Sequence, residues 1–257
     1  MATITAPIVR PNEDRFYVLL AALCAVIAFA GFAGTYWLQL PGGTFVGSPL
    51  IHFHALLFSV WTLFFLAQAA LIANRRYAYH RAWGLGGIAL ATAMVFSGIA
   101  VTITGLQGRI AHGQAEAGRA FAIVPFSAMV LFTGFVIAAM VHRRHADWHK
   151  RLMLAASVAL LNAVFARVFF LAVTGGGAGK RPGMVPPLPP EGALVPGLVG
   201  DSVLLLGILF DWRVRGRPHP AYLWGLGVMV AVQILRGPIA HTQVWSAFAD
   251  FLARFAG

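Results

Sequence analysis

Seven long apolar stretches constrain this chain more than any other feature. They lie at about residues 16–38, 50–74, 82–106, 120–141, 150–173, 193–211 and 220–238. Roughly 20 helical residues cross the hydrocarbon of a bilayer. In lipid each backbone N–H and C=O must be satisfied within the protein, so runs of this length can only be helices. Barrel strands would be about half as long and would alternate apolar with polar positions. The expected fold class is therefore all-α: a polytopic membrane bundle of seven transmembrane helices, one domain spanning 1–257.

Composition agrees. Charged residues make up 11% of the chain, against about 25% in soluble domains, and no segment is left over for a soluble domain. Before the first stretch stand Glu13 and Asp14, where a secretory signal would carry positive charge, so this stretch is read as an anchor. The single cysteine, Cys24, excludes an intrachain disulfide.

The net charge of +11 raises nucleic acid as a partner, but its distribution points elsewhere. With seven spans, one side of the membrane receives Arg10, Arg15, Arg75, Arg76, Arg81, Arg143, Arg144, Lys150, Arg151, Arg213, Arg215 and Arg217. The other receives only Arg109, Arg119, Lys180, Arg181, Arg236 and Arg254, while Arg167 lies inside a span. Basic loops stay cytoplasmic, which predicts a cytoplasmic N-terminus. The charge then serves topology and attraction to anionic lipid heads; the bilayer is the expected partner and nucleic acid is not.

Residues 175–192, rich in Gly and Pro, predict an irregular, mobile loop. Gly237 and Pro238 are expected to break the last span. Beyond it, Thr242 can cap a helix, and Trp245, Phe248, Phe251 or Leu252, and Phe255 recur at helical spacing. This predicts a short C-terminal helix lying at the interface. The alternative is a continuation of the seventh span, kinked at Pro238. In the third span, Gly84, Ala91, Gly98 and Gly105 recur every seven residues; small side chains admit close helix approach. His80 shares that face, which places the third span at the centre of the bundle.

Ionisable groups inside spans are costly, and they mark function by default. His54, Arg167, Asp201, Arg236 and His241 all fall in the non-cytoplasmic half. Their common depth predicts convergence on one cofactor-binding pocket, with Asp201 between the two arginines. The positive excess would suit a small anionic or quinone-like ligand, a haem propionate or a lipid phosphate. The plainer reading is an ion-pair network that fixes helix packing. His52 and His54 are two residues apart, about 200° around a helix. His54 is assigned to the pocket, on the line His54, Trp61, Gln68, and His52 to the water interface. On the cytoplasmic side His80, His145 and His149, with His142 nearby, are the metal candidates, for zinc or copper. A basic loop obeying topology is the competing reading.

The segments "HFHALLFSVWTLFFLAQAALIANRR", "HRAWGLGG", "WHKRLMLAASVALLNAVFAR", "HPAYLWG" and "RGPIAHTQVWSAFADFL" together resemble a group of bacterial multi-span membrane proteins over nearly the whole chain. "HRAWG" and "WHKRLML" are also similar to the DUF2306 membrane proteins, over about two helices. The resemblance implies the fold and the bacterial inner (cytoplasmic) membrane, and no activity. Ala55 stands where a glycine is expected, and Asp211 follows Phe210 where a tyrosine is expected.

Four functions compete. The preferred one is a redox protein holding haem b, or meeting quinone, in the bundle. Two imidazoles at one depth would ligate the haem, either His54 with His241 or His80 with His149. The others are a metal-dependent lipid hydrolase using His54, His241 and Asp201, an anion carrier using Arg167 and Arg236, and an assembly subunit without chemistry. No phosphate-binding loop, dinucleotide fingerprint, nucleophile elbow or C-x-x-C motif occurs.

Overall fold

A computed structural model describes residues 11–175 and 187–256, and among these there are helices and no strands. The helices are α1 (Pro11–Ala33), α2 (Pro49–Ala73), α3 (Tyr77–Ala111), α4 (Ala115–Val141), α5 (Ala146–Thr174), α6 (Leu194–Arg215), α7 (Pro220–Ala240) and α8 (Gln243–Ala253). Seven of them, all but α8, are long and apolar enough to cross a membrane. The chain is thus a multi-pass helical membrane protein. The segment 176–186, most of the expected mobile loop, lies outside the described residues.

The helices overrun the apolar stretches where charges are accommodated. α1 starts at Pro11 rather than near 16 because Glu13 is buried against basic side chains instead of marking a water-exposed boundary, and it ends at Ala33 rather than 38. α5 and α6 end on Gly175 and Gly216, at φ 73° and 72°. Their N–H groups bond Leu171 and Trp212 carbonyls, the left-handed cap that glycine adopts without a Cβ penalty. α7 continues through Pro238 to Ala240, so the expected break falls at His241 instead. α8 is a separate amphipathic helix, capped by Thr242, whose Oγ1 accepts from Trp245 N–H at 3.2 Å.

Consecutive helices pack as neighbours, and α5 also touches α1 and α7, which makes it the axis of the bundle. Its buried face carries Ala155, Ala156, Ser157 and Ala159, small enough for close approach on several sides. The buried line of α3 runs through Gly87, Ala91, Met94, Gly98, Thr102 and Leu106. Gly84 is half-buried and Gly105 exposed. A strict seven-residue repeat drifts about 20° per heptad on a straight helix, so the expected stripe holds only in its middle.

α5 and α4 divide the interior. On one side stand α2 and α3; on the other, α6 and α7. This division decides which polar residues can meet.

Candidate functional site

Two faces of the bundle carry polar side chains: the N-face, where the chain enters α1, and the C-face, where α7 ends. At the N-face six charged groups from three helices interlock. Arg151, on α5 and without exposed surface, donates to both oxygens of Asp211 on α6, at 2.9 and 2.6 Å. It also reaches Glu13 of α1 at 3.3 Å and Asp147 at 3.1 Å. Arg215 spans Glu13 and Asp147 at 2.7 and 2.9 Å, and Lys150 meets Glu13 at 2.6 Å. Three acids face three bases, so the set is neutral. Tyr17 and Tyr222, hydrogen-bonded to each other at 2.8 Å, lie beside the Arg151 guanidinium. His219 N–H donates to Asp211 at 3.2 Å, while its own Nδ1 accepts from Ala221 N–H and caps α7. Burial, and then the Arg151 charge, hold the His219 imidazole below the ordinary histidine range.

The sequence reading missed this network because its cations were assigned to topology. The signal was there: Asp147–Arg151 and Asp211–Arg215 are both i, i+4 acid–base pairs, neighbours on a helix surface.

The C-face residues form two groups rather than the single pocket expected from their depth. In the first, Asp201 on α6, 2% exposed, accepts from Gln233 Nε2 of α7 at 2.9 Å and lies within electrostatic range of Arg236. Arg236 donates to the Ala193 carbonyl. His241 is exposed and bonds Glu191 at 3.1 Å. This group sits between α6, α7 and the short 3-10 turn Pro190–Ala193.

The second group lies between α2, α3 and α5. His54 stacks on Phe58, its ring beside the Ser97 carbonyl, with Nδ1 buried and unpartnered. It is within electrostatic range of Arg167 on α5, and Arg167 in turn of Arg109 on α3. Arg167 stands 6.0 Å from the Phe32 ring, and Arg109 4.7 Å from that of Phe121. Arg109 Nε is buried without an acceptor. Among the described residues no carboxylate pairs with either arginine, and no bond or ion pair joins this group to Asp201, Arg236 or His241. Depth along the membrane did not identify the partners, because α5 separates the compartments. His52 is held elsewhere, by the Tyr36 hydroxyl at 2.9 Å.

These placements overturn two further expectations. His54, His241 and Asp201 do not assemble a metal triad, and His54 and His241 do not face each other across a haem. The trio His80, His145 and His149 does not form either: among the described residues no group of three or more His, Cys, Asp or Glu side chains could hold a metal ion. His145 is exposed and precedes α5 as its N-cap residue, and His142 stacks on Trp148. His80 and His149 do meet, with ring centres 6.3 Å apart.

α2 connects the two ends of its compartment. Its buried residues are Trp61 and Gln68, one and two heptads beyond His54 and so roughly 10 and 20 Å along the axis. Trp61 Nε1 donates to Ser157 of α5 at 3.3 Å. The chain matches no family model, and no curated protein and no solved structure is similar to it.

Proposed function

We propose that this membrane protein binds an amphiphile whose anionic or carbonyl-oxygen head is held by Arg109 and Arg167, with His54 beside them. One observation carries this reading: two half-buried guanidiniums, Arg109 and Arg167, share a compartment, while the two fully buried arginines, Arg151 and Arg236, both have a carboxylate close by. A charge left alone at the centre of a spanning helix costs about 2.5–3.5 kcal/mol even on the insertion scale. An oxygen-rich head would offset that cost through charge-assisted hydrogen bonds, which guanidinium forms with planar, bidentate geometry. The rings of Phe32, Phe58 and Phe121 around the cluster suit an apolar tail. A quinone meets the same description, and through it the redox reading belongs to this proposal. The basic-residue asymmetry supports a cytoplasmic N-face, and the family resemblance supports a bacterial inner membrane.

The test is thermal unfolding of the protein in neutral detergent, with added phosphatidylglycerol, phosphatidylcholine or ubiquinone. A ligand at 100 times its Kd stabilises by about 2.7 kcal/mol, equivalent to several degrees for a chain of this size. Phosphatidylglycerol or ubiquinone, but not phosphatidylcholine, should raise the midpoint, and Arg167→Gln should abolish the rise. Equal responses from wild type and Arg167→Gln, or no response to any of the three, would overturn the reading.

A further inference from the structure

The N-face end of the α2–α5 compartment holds buried polar atoms that the charged network does not use. His80 on α3 stands at the backbone carbonyl of Gln68, on α2. Its Nδ1 is buried and has no hydrogen-bond partner. His149 on α5 faces it from across the compartment, ring centres 6.3 Å apart and planes at 87°. The Nδ1 of His149 lies 2.9 Å from the Ala139 carbonyl of α4. A carbonyl only accepts, so this nitrogen carries the proton and Nε2 keeps its lone pair. On His80, Nδ1 meets no hydrogen-bond partner and is free to present its lone pair. The Gln68 side chain is itself buried, with Oε1 and Nε2 unpartnered.

His149, with Nδ1 on a backbone carbonyl and Nε2 left for a ligand, has the outer-shell pattern of a metal-ligating histidine, and His80 brings a buried Nδ1 that no protein group satisfies. Two metal–nitrogen bonds of about 2 Å across one ion set the ring centres roughly 6 Å apart, close to the separation observed. We propose that His80 and His149 form a bis-imidazole transition-metal site at this end of the compartment.

The ligand count selects the metal. Structural zinc takes four protein ligands and catalytic zinc three, and no third His, Cys, Asp or Glu stands with this pair among the described residues. The site therefore suits a metal satisfied by two neutral nitrogens, copper(I), or one that brings its remaining ligands with it, haem iron. Imidazole serves both copper and iron. Neither choice adds a protein carboxylate, and the fixed charge acting on His80, that of Arg81, is positive. This favours a low formal charge at the metal and disfavours a bare divalent ion.

The experiment titrates the purified full-length protein in detergent with two probes. Copper(I) is added against a chromophoric chelator, and haemin is followed by its Soret band. Saturation of one probe at one equivalent per chain is expected, with at least a tenfold loss of affinity in both His80→Gln and His149→Leu. His142→Ala and His145→Ala, placed outside the pair, should bind as wild type does. X-ray absorption of the loaded wild type should show two imidazole nitrogens at about 2 Å, a readout that holds even where a variant fails to fold. Copper alone saturating assigns a copper site, and haemin alone a haem site. Saturation of neither probe, undiminished binding in both pair variants, or imidazole coordination that persists without them would overturn the proposal.

Discussion

Replacing Arg151 by methionine tests whether the N-face network holds the bundle together. Arg151 has no exposed surface, Asp211 is 1% exposed and Glu13 is 4% exposed at the side chain. Methionine fills much of the space but leaves Asp211 with one distant cation, Arg215 Nε at 3.7 Å. Removing one partner of a buried ion pair typically costs about 3–5 kcal/mol, since the remaining charge is stranded out of water. Asp211→Leu removes the bidentate acceptor of Arg151 and the acceptor of His219 N–H but leaves Arg151 with Glu13 and Asp147, so a smaller cost is expected. The double variant removes one positive and one negative charge. Glu13, Asp147, Lys150 and Arg215 remain, still neutral as a set. The double variant should therefore be more stable than the sum of the singles predicts, by about 0.5–3 kcal/mol of coupling. Reversible unfolding in mixed micelles, followed by tryptophan fluorescence near Trp148, reads all four corners of the cycle. A cost below about 1 kcal/mol for Arg151→Met, the range of exposed ion pairs, would refute the claim that the Arg151–Asp211 pair is held out of water.

Further expectations follow from other contacts. A side chain at Gly200 would meet the backbone of α5, 3.3 Å from Asn162 N and 3.4 Å from Leu161 C, so Gly200→Val should lower stability by about 1–3 kcal/mol through overpacking; an unchanged melting temperature would contradict that contact. The lowered titration of His219 means that its contribution to stability is fully present above about pH 6.5 and is lost as pH falls through that value toward the folded one. His219→Asn, which keeps a capping oxygen, should flatten the melting temperature between pH 5 and 7 (roughly the range over which histidine titrates). Arg167→Leu should leave the melting temperature unchanged or raise it when no amphiphile is added. A periplasm-active reporter fused after Gly257 should give signal and one fused after Arg76 none, and the reverse pattern would invert the proposed orientation.

The spans were legible because hydropathy integrates over some 20 residues and tolerates a few charges. Their ends were less so. A charge at Glu13 reads as a boundary in sequence, but Lys150 and Arg215, more than 130 residues away, let the helix begin before it. The polar residues of the C-face were legible as a set, since each interrupts an apolar run. Their partners were not: sequence order gives depth, while partnership also depends on angle around the bundle axis. Asp201 and Arg167 share a depth, yet Asp201 faces α7 and Arg167 faces α3. Arg109, missing from the expected pocket, sits near the end of α3, where an arginine reads as an interfacial anchor. Only its inward turn onto Phe121 of α4 brings it into the cluster.

The two ends of α5 make the strongest case that the C-face arginines serve something other than packing. Arg151 and Arg167 lie 16 residues apart on one helix, roughly 24 Å along its axis. Around Arg151 the fold gathers Asp211, Glu13 and Asp147, three of only eight acids in the chain. Around Arg167 it gathers Arg109, His54 and Phe32, and, among the described residues, no acid. A guanidinium needed only for helix packing would be neutralised as Arg151 is, or replaced by an apolar residue at no cost in stability. A second cation beside it makes the arrangement worse for the isolated protein. The proposed amphiphile would relieve it by supplying the missing negative charge or lone pairs. The N-face network, by contrast, ties α1, α5 and α6 together through ion pairs. That is why removing Arg151 and removing Arg167 should have opposite consequences, the first for folding and the second for binding.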